Sequence, residues 1–495
     1  MEEFDKEQKS VERCHIVAVP FPGRGLINPM MNFCKHLAFK LGDNVKITFV
    51  VTEEWLGILQ STPIPPQIHL RSTPDVIPSE FVRSSMLDFE TFTAIVVAEM
   101  EAPFEHVLNT SEPTTVIIAD FSLIWALSIG NRRNIPVVSF WTASSFMFSV
   151  LYHVDLLTKN GHSLAHVSDC CDEVIDYIPG VSPTRLADMP LLPGGNDPKS
   201  NPELVSFTML DKVQCLLIAT FYELEPQVTS NLKTTFPFPT YSIGPSISNI
   251  TTSDDQHYHI HGKTIESSNT KYVSNKEHYY LEWLDSQPIS SVLYIAFGST
   301  VSISGEQMKE ILAGLCEDGI RYLLVSRDGQ LTSSLPGDGD GGSDDDEIGK
   351  SSRTLVVPWC DQLKVLCHSS VGGFWTHCGW NSIMESIYAG VPMLTFPIHY
   401  DQIPNRKLIV DDLKVGMKVT EEFGTKALVK RDEVKKIVKK FMNINGESED
   451  DNNEAKEMRR RSSELKDVCR IALAKGGSSD TNLDGFIKDI LHFHG

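Results

Sequence analysis

Short apolar runs alternate along this chain with helical stretches, and that alternation restricts the fold more than any other feature. "HIVAVPFP" (15–22) reads as a strand, a helix follows, Gly42 ends it, and "VKITFVV" (45–51) resumes strand character. "TTVIIAD" (114–120), "SLIWALSIGNRRN" (122–134) and "IPVVSFW" (135–141) repeat strand, helix, strand. Uninterrupted apolar strands joined by helices indicate a parallel sheet covered on both faces. At the first strand–helix corner, Asn28 is the expected N-cap and Pro29 the first helical residue. Leu26 then falls at the tip of a Gly-rich turn.

The pattern stops and restarts. Residues 248–276 are polar and unpatterned, which suits a linker. Alternation returns with "SSVLYIAFGS" (290–299), and Ser304 and Gln307 form an S-x-x-Q capping box ahead of the next helix. "VGGFWTH" (371–377), "WNSIMESIYAG" (380–390) and "VPMLTFP" (391–397) again read strand, helix, strand. At 495 residues the chain exceeds what one core usually supports. The expected class is α/β, with two doubly wound, Rossmann-like domains facing each other across a cleft. Residues 1–247 are expected to form the first domain, 248–280 the linker and 281–470 the second domain. A final helix within 471–495 is expected to pack back on the first.

Composition narrows the function. The net charge of −21 disfavours nucleic acid and anionic membranes as partners. Ten cysteines show no CxxC spacing, the N-terminus lacks a signal-peptide core, and no apolar run approaches a bilayer span. A cytoplasmic monomer with reduced thiols and no metal is the expectation. Three motifs are set aside. "HYHIHG" alternates His257, His259 and His261 without a carboxylate or thiol partner and reads as a solvated loop. "GDGDGGSDDDEIGK" (337–350) puts Gly342 and Gly349 where a calcium loop needs oxygen ligands. Gly23 and Gly25 lack the third glycine of a dinucleotide fingerprint, because Asn28 holds that place. Neither nicotinamide nor flavin is expected.

The chemistry concentrates in "WCDQLKVLCHSSVGGFWTHCGWNSIMESIYAGVPMLTFPIHYDQ", residues 359–402. A strand ending at His377 turns through Cys378 and Gly379 into a helix starting near Trp380. The free N–H groups of that helix's first turn favour an anion. His377, Asn381 and Ser382 add donors there. Glu385, one turn beyond Asn381, can reach a ribose diol. Trp359 and the main chain at Cys360 offer a flat face and amide pairing for a base, and Asp401 and Gln402 suit sugar hydroxyls. Phe374 and Trp375 read as core.

This segment resembles the 44-residue signature of the plant family 1 UDP-dependent glycosyltransferases, and similarity extends through "NRRNIPVVSFW" in the first half. The resemblance implies a GT-B fold, with the nucleotide sugar held by the second domain and a small-molecule acceptor by the first. It implies that Trp359 stacks on uracil with help from Cys360 main chain and Gln362, and that Glu385 holds the ribose. His377, Asn381 and Ser382 would hold the diphosphate, with Gly298 and Ser299 approaching from another strand. Trp380, Asp401 and Gln402 would contact the sugar, and Gln402 usually accompanies glucose. UDP-glucose is then a co-substrate and no cofactor is needed. The stretch "FWTASSFMFSVLYHV" (140–154) fits either an aromatic acceptor-pocket wall or ordinary helix core.

One expected residue is missing. The family's corner normally reads "GRGHINPM", its histidine taking a proton from the acceptor while an aspartate orients the ring. Here the aspartate is Asp120 and Leu26 replaces the base. General-base catalysis is worth about 10²–10⁴-fold, and leucine supplies none of it. Three readings follow. Glucose could still pass to a group that needs no base, such as an ionised carboxylate, or with His399 or Asp120 as a substitute base. The fold could instead run isomerisation, elimination or cyclisation on an apolar plant metabolite, with Asp120 as acid or base. Or it could bind UDP-sugar or metabolite without turnover.

Overall fold

In the computed structural model, the residues described are 13–60, 63–75, 86–165, 172–192, 194–199, 201–247, 279–298, 303–316, 319–326, 353–420, 428–442 and 449–492. The chain forms two Rossmann-like α/β domains. Among the described residues the first sheet contains β1 (Cys14–Val19), β2 (Val45–Thr52), β3 (Ile68–Thr73), β4 (Val116–Asp120) and β5 (Val137–Trp141). A separate antiparallel pair, β6 (Val174–Ile175) and β7 (Thr184–Arg185), precedes two more strands of that sheet, β8 (Cys215–Ile218) and β9 (Thr240–Ser242). Its order is β3-β2-β1-β4-β5-β8-β9, all parallel. The second sheet holds β10 (Val292–Ala296), β11 (Arg321–Val325), β12 (Thr354–Val357), β13 (Val371–Thr376), β14 (Met393–Thr395) and β15 (Gly416–Lys418). Its order is β12-β11-β10-β13-β14-β15.

Both orders reverse direction once, between β1 and β4 and between β10 and β13. Ligands of open parallel sheets bind beyond the carboxyl ends of the strands at such reversals. Leu26 and Asp120 follow or end the first pair; Gly298 and His377 follow the second. Topology alone thus assigns one half-site to each domain.

Each sheet is buried on both faces. On one side of the first sheet, Phe33 and Phe140 meet Leu483, Phe486 and Ile490 of the terminal helix Ser478–His492. Burying each of those three side chains contributes about 1.5–3 kcal/mol. Tyr241 Oη donates to Asp489 at 2.8 Å and Asn482 Nδ2 donates to the Ser242 carbonyl at 2.8 Å, so this helix is tied to the first domain's last strand. Phe374 and Trp375 are fully buried in the second domain.

Two local expectations change. The first long helix begins at Arg24, with Gly23 extended in the cap position, so Asn28 and Pro29 lie inside it. The Gly23 carbonyl already accepts from Leu26 N at 2.9 Å and Ile27 N at 2.8 Å, so winding starts before the proline. Leu26 is therefore a first-turn helical residue and not a loop tip. The capping box forms by half: Ser304 Oγ accepts from Gln307 N at 3.1 Å, while the Gln307 amide turns to the main chain of Val429. The three-histidine stretch, the 337–350 stretch, Ser299 and nearly all of the 248–280 segment lie outside the described residues. Among those described, no helix is long and apolar enough to cross a membrane.

Candidate active site

The second half-site is built on the β10–β13 pairing. Their register, Ala296 opposite Thr376, brings the residues that follow both strands together. Gly298 lies in the left-handed region at φ 82°, and a Cβ there would stand 2.6 Å from His377 Nε2. A Cβ on Gly379 would stand 2.5 Å from the same atom. Two glycines thus wedge one imidazole. Burial, helped by nearby His399, pushes His377 down to about 4, so at neutral pH it is uncharged. Among the described residues, Nδ1 of His377 and Nδ1 of His399 are both buried without a hydrogen-bond partner, which is unusual for polar atoms. His399 thus sits beside His377 in the second half-site, its own pKa lowered by burial.

Gly298→Ala tests this wedge. A left-handed alanine costs roughly 1–2 kcal/mol, and the imidazole must move to admit its methyl. The expected result is a lowered melting temperature, read by calorimetry.

Next to it, one amide organises a polar slot. Gln362 Nε2 donates to Ser382 Oγ at 3.0 Å and to Glu385 Oε2 at 2.7 Å, while Tyr294 Oη donates to Gln362 Oε1 at 3.2 Å. Burial raises Glu385 to about 7, against the lowering hydrogen bond from Gln362. Trp359 is 46% exposed at the start of this segment, a flat apolar face open to a ligand. The Cys360 thiol, 3.4 Å from Tyr294 Oη, is pushed up to about 12 by burial and stays protonated, so the residue can offer its main chain but not a thiolate. Tyr294 escapes a sequence reading because it is a strand residue among apolar ones.

At the other end, Gln402 Oε1 accepts from Ile398 N at 2.8 Å and His399 N at 3.2 Å. That leaves the amide's N–H groups to meet a ligand. Asn405 Nδ2 bridges Asp401 Oδ2 and the Cys378 carbonyl, each at 3.0 Å. Burial raises Asp401 to about 7, with Glu203 of the first domain adding to the effect. Glu203 also hydrogen-bonds Tyr400, whose ring packs against the first domain's core. Beneath these lies a buried ion pair across the domains, Arg406 Nη2 to Asp188 Oδ1 at 3.4 Å. Nothing in the sequence signals Glu203 or Asp188, which lie far from their partners in the chain.

The first half-site is apolar. Leu26 is half-buried and packs against the large apolar cluster that contains Phe121, Trp141 and Phe148; Phe146, Tyr152, Phe207 and Tyr400 pack against the same cluster. Phe121, Trp141, Phe148 and Phe207 pack ring to ring with centroids 4.7–6.0 Å apart. Asp120 is 3% exposed; its Oδ1 accepts from Ser122 N at 2.9 Å, and among the described residues its Oδ2 has no hydrogen-bond partner. Burial lifts its carboxyl to about 6. The domains meet here, where Asn381 Nδ2 donates to the Gly25 carbonyl at 2.7 Å and Trp380 Nε1 donates to the Ala219 carbonyl at 2.8 Å. The indole N–H of Trp380 is thus committed to the first domain.

Residues 265–446 match the family model for UDP-glucuronosyl and UDP-glucosyl transferases. UDP-glycosyltransferase 87A1 of Arabidopsis thaliana is 45% identical over 95% of this chain and 99% of its own length. The chain belongs to the plant UDP-glycosyltransferases. UDP-glycosyltransferase 87A2 of the same plant is 44% identical over 96% of both chains. Among solved structures, Medicago truncatula UGT71G1 complexed with UDP-glucose superposes on this glycosyltransferase with a TM-score of 0.73, at 24% identity over 97% of this chain and 99% of its own. That likeness bears out the two-domain GT-B fold.

Proposed function

We propose that this UDP-glycosyltransferase transfers glucose from UDP-glucose to a small apolar acceptor that attacks through an ionised group, a carboxylate in the first instance. The observation that carries the reading is the contrast between the half-sites: a hydrogen-bonded polar slot in one domain, and Leu26 among apolar side chains in the other.

In this reading Trp359 stacks on uracil beside Cys360 main chain, and the Gln362–Glu385 pair presents a carboxylate oxygen to the ribose hydroxyls. His377, Asn381 and Ser382 face the diphosphate, with Gly298 and Ser299 behind it. Trp380 main chain, Asp401 and Gln402 meet the hexose. A carboxylate oxygen then attacks the anomeric carbon, the bond to the diphosphate oxygen breaks, and its electron pair leaves on UDP. No proton has to be removed, because a carboxylic acid of pKa near 4 is already ionised. Positioning and stabilisation of the departing diphosphate supply the rate, and both belong to the second domain. Phe146, Tyr152 and Phe207 give the acceptor an aromatic wall.

A second reading draws on Asp120 Oδ2. A buried carboxyl with one oxygen unpartnered among the described residues, raised toward neutrality beside hydrocarbon, suits acid–base work on a metabolite without sugar transfer. One assay separates the two. Incubation with UDP-glucose and paired acceptors, each a carboxylic acid and its alcohol, should yield glucose esters and far less glycoside. UDP binding without transfer to either acceptor would defeat the transfer reading, and conversion of a metabolite without UDP-glucose consumption would support the second.

A further inference from the structure

We propose that Asn381 is a positioning residue that links occupancy of the diphosphate site to the placement of residue 26. The inference rests on the UDP-binding reading above and adds a coupling to it.

The Arg24–Leu41 helix contains Pro29, which has no N–H. In a continuous helix that N–H would bond the Gly25 carbonyl, four residues back. The carbonyl is therefore left without its helical donor, and the Asn381 side chain of the other domain supplies one at 2.7 Å. The acceptor being a carbonyl, the amide must present its nitrogen, which fixes the Asn381 orientation.

The gripped group matters more than its strength. The Gly25 carbonyl and the Leu26 N–H belong to one peptide unit. Asn381 holds the oxygen end, and the Gly23 carbonyl holds the nitrogen end at 2.9 Å. The plane from which side chain 26 springs is thus pinned at both ends, one of them by the opposite domain. The Asn381 nitrogen carries two N–H groups. One is on Gly25; the second can serve the diphosphate, at the helix start shared with His377. A single amide then spans the cleft with one proton on each side. Aspartate would lose both donors and serine cannot supply two, so the role is particular to asparagine.

Linkage makes the coupling reciprocal: UDP that orders the Asn381 amide also steadies the corner. Hydrogen–deuterium exchange of the amides of residues 24–28, with and without saturating UDP, reads this directly. In the natural chain UDP should slow exchange there about fivefold, the worth of one net hydrogen bond. Asn381→Ala should abolish that protection even at UDP concentrations that calorimetry shows to be saturating. Pro29→Ala touches no ligand and gives the Gly25 carbonyl a helical donor. It should leave UDP affinity within about twofold while weakening the UDP-linked protection, and Asn381→Ala added to it should change the corner no further. Protection that survives Asn381→Ala at saturation overturns the proposal. UDP that binds without protecting the natural corner overturns it too and leaves the donor-site reading standing. Absence of UDP binding removes both.

Discussion

Leu26→His should raise transfer to hydroxyl acceptors by about 10²-fold or more, while UDP affinity and transfer to carboxylic acids stay nearly unchanged. Three observations converge on this. Position 26 lies in the first turn after β1, and β4, which ends in Asp120, is the neighbouring strand in register. Among the described residues Asp120 Oδ2 has no hydrogen-bond partner, so an imidazole N–H placed there would have an acceptor waiting. Leu26 is half-buried against the first domain's apolar cluster, so a ring of similar size can replace it without opening the core. A histidine paired in this way gains orientation from the carboxylate and takes the acceptor's proton as the C–O bond forms. Carboxylates gain nothing because they carry no proton to lose. The measurement is kcat/KM for an alcohol and for the matching acid, in both proteins. A folded, UDP-binding variant with no gain on any alcohol would mean that residue 26 does not face the reacting oxygen.

How much of this was legible beforehand differs between the halves of the molecule. Apolar strands alternating with helices made the two parallel sheets readable, because burial on both faces leaves a continuous apolar run in the sequence. The polar slot around Gln362 was readable for another reason. Trp359, Gln362, Ser382 and Glu385 lie within one stretch of chain, and that stretch also carries the family resemblance. What stayed hidden depends on contacts between distant segments. Pro29 looked like a helix start, as proline commonly is, yet the helix absorbs it because Asn381 satisfies the carbonyl it orphans. Gln307 looked like half of a capping box, yet Val429 gives its amide two backbone partners. Asp188 and Glu203 sit in helical turns too short to show periodicity. Their importance appears only when Arg406 and Tyr400, two hundred residues later, fold onto them.

Asp120→Asn should stabilise the protein at pH 7.5 and leave it little changed near pH 4, and its effect on turnover should reveal which acceptor the site serves. The stability argument follows from the orphaned oxygen. An ordinary aspartate titrates near 3.9 when unfolded, and burial in the fold raises this one to about 6. The protonated form is therefore favoured by folding. The contribution is fully present below the unfolded pKa, is lost as pH rises through the folded one, and remains as a penalty above it. A shift of about two units corresponds to a penalty of about 3 kcal/mol above pH 6. Asparagine removes the charge but adds N–H donors that also need partners, so a net gain of about 1–2 kcal/mol in denaturant unfolding is expected. The catalytic argument uses the same titration with a different sign for each acceptor. An ionised Asp120 repels a carboxylate, so transfer to an acid should rise as pH falls toward 6, and Asp120→Asn should flatten that profile. If Asp120 instead served as the base for a hydroxyl, transfer would fall through the same pH window and the asparagine variant would lose it. Pure carboxylate chemistry and a substitute-base mechanism therefore predict opposite slopes from one side chain.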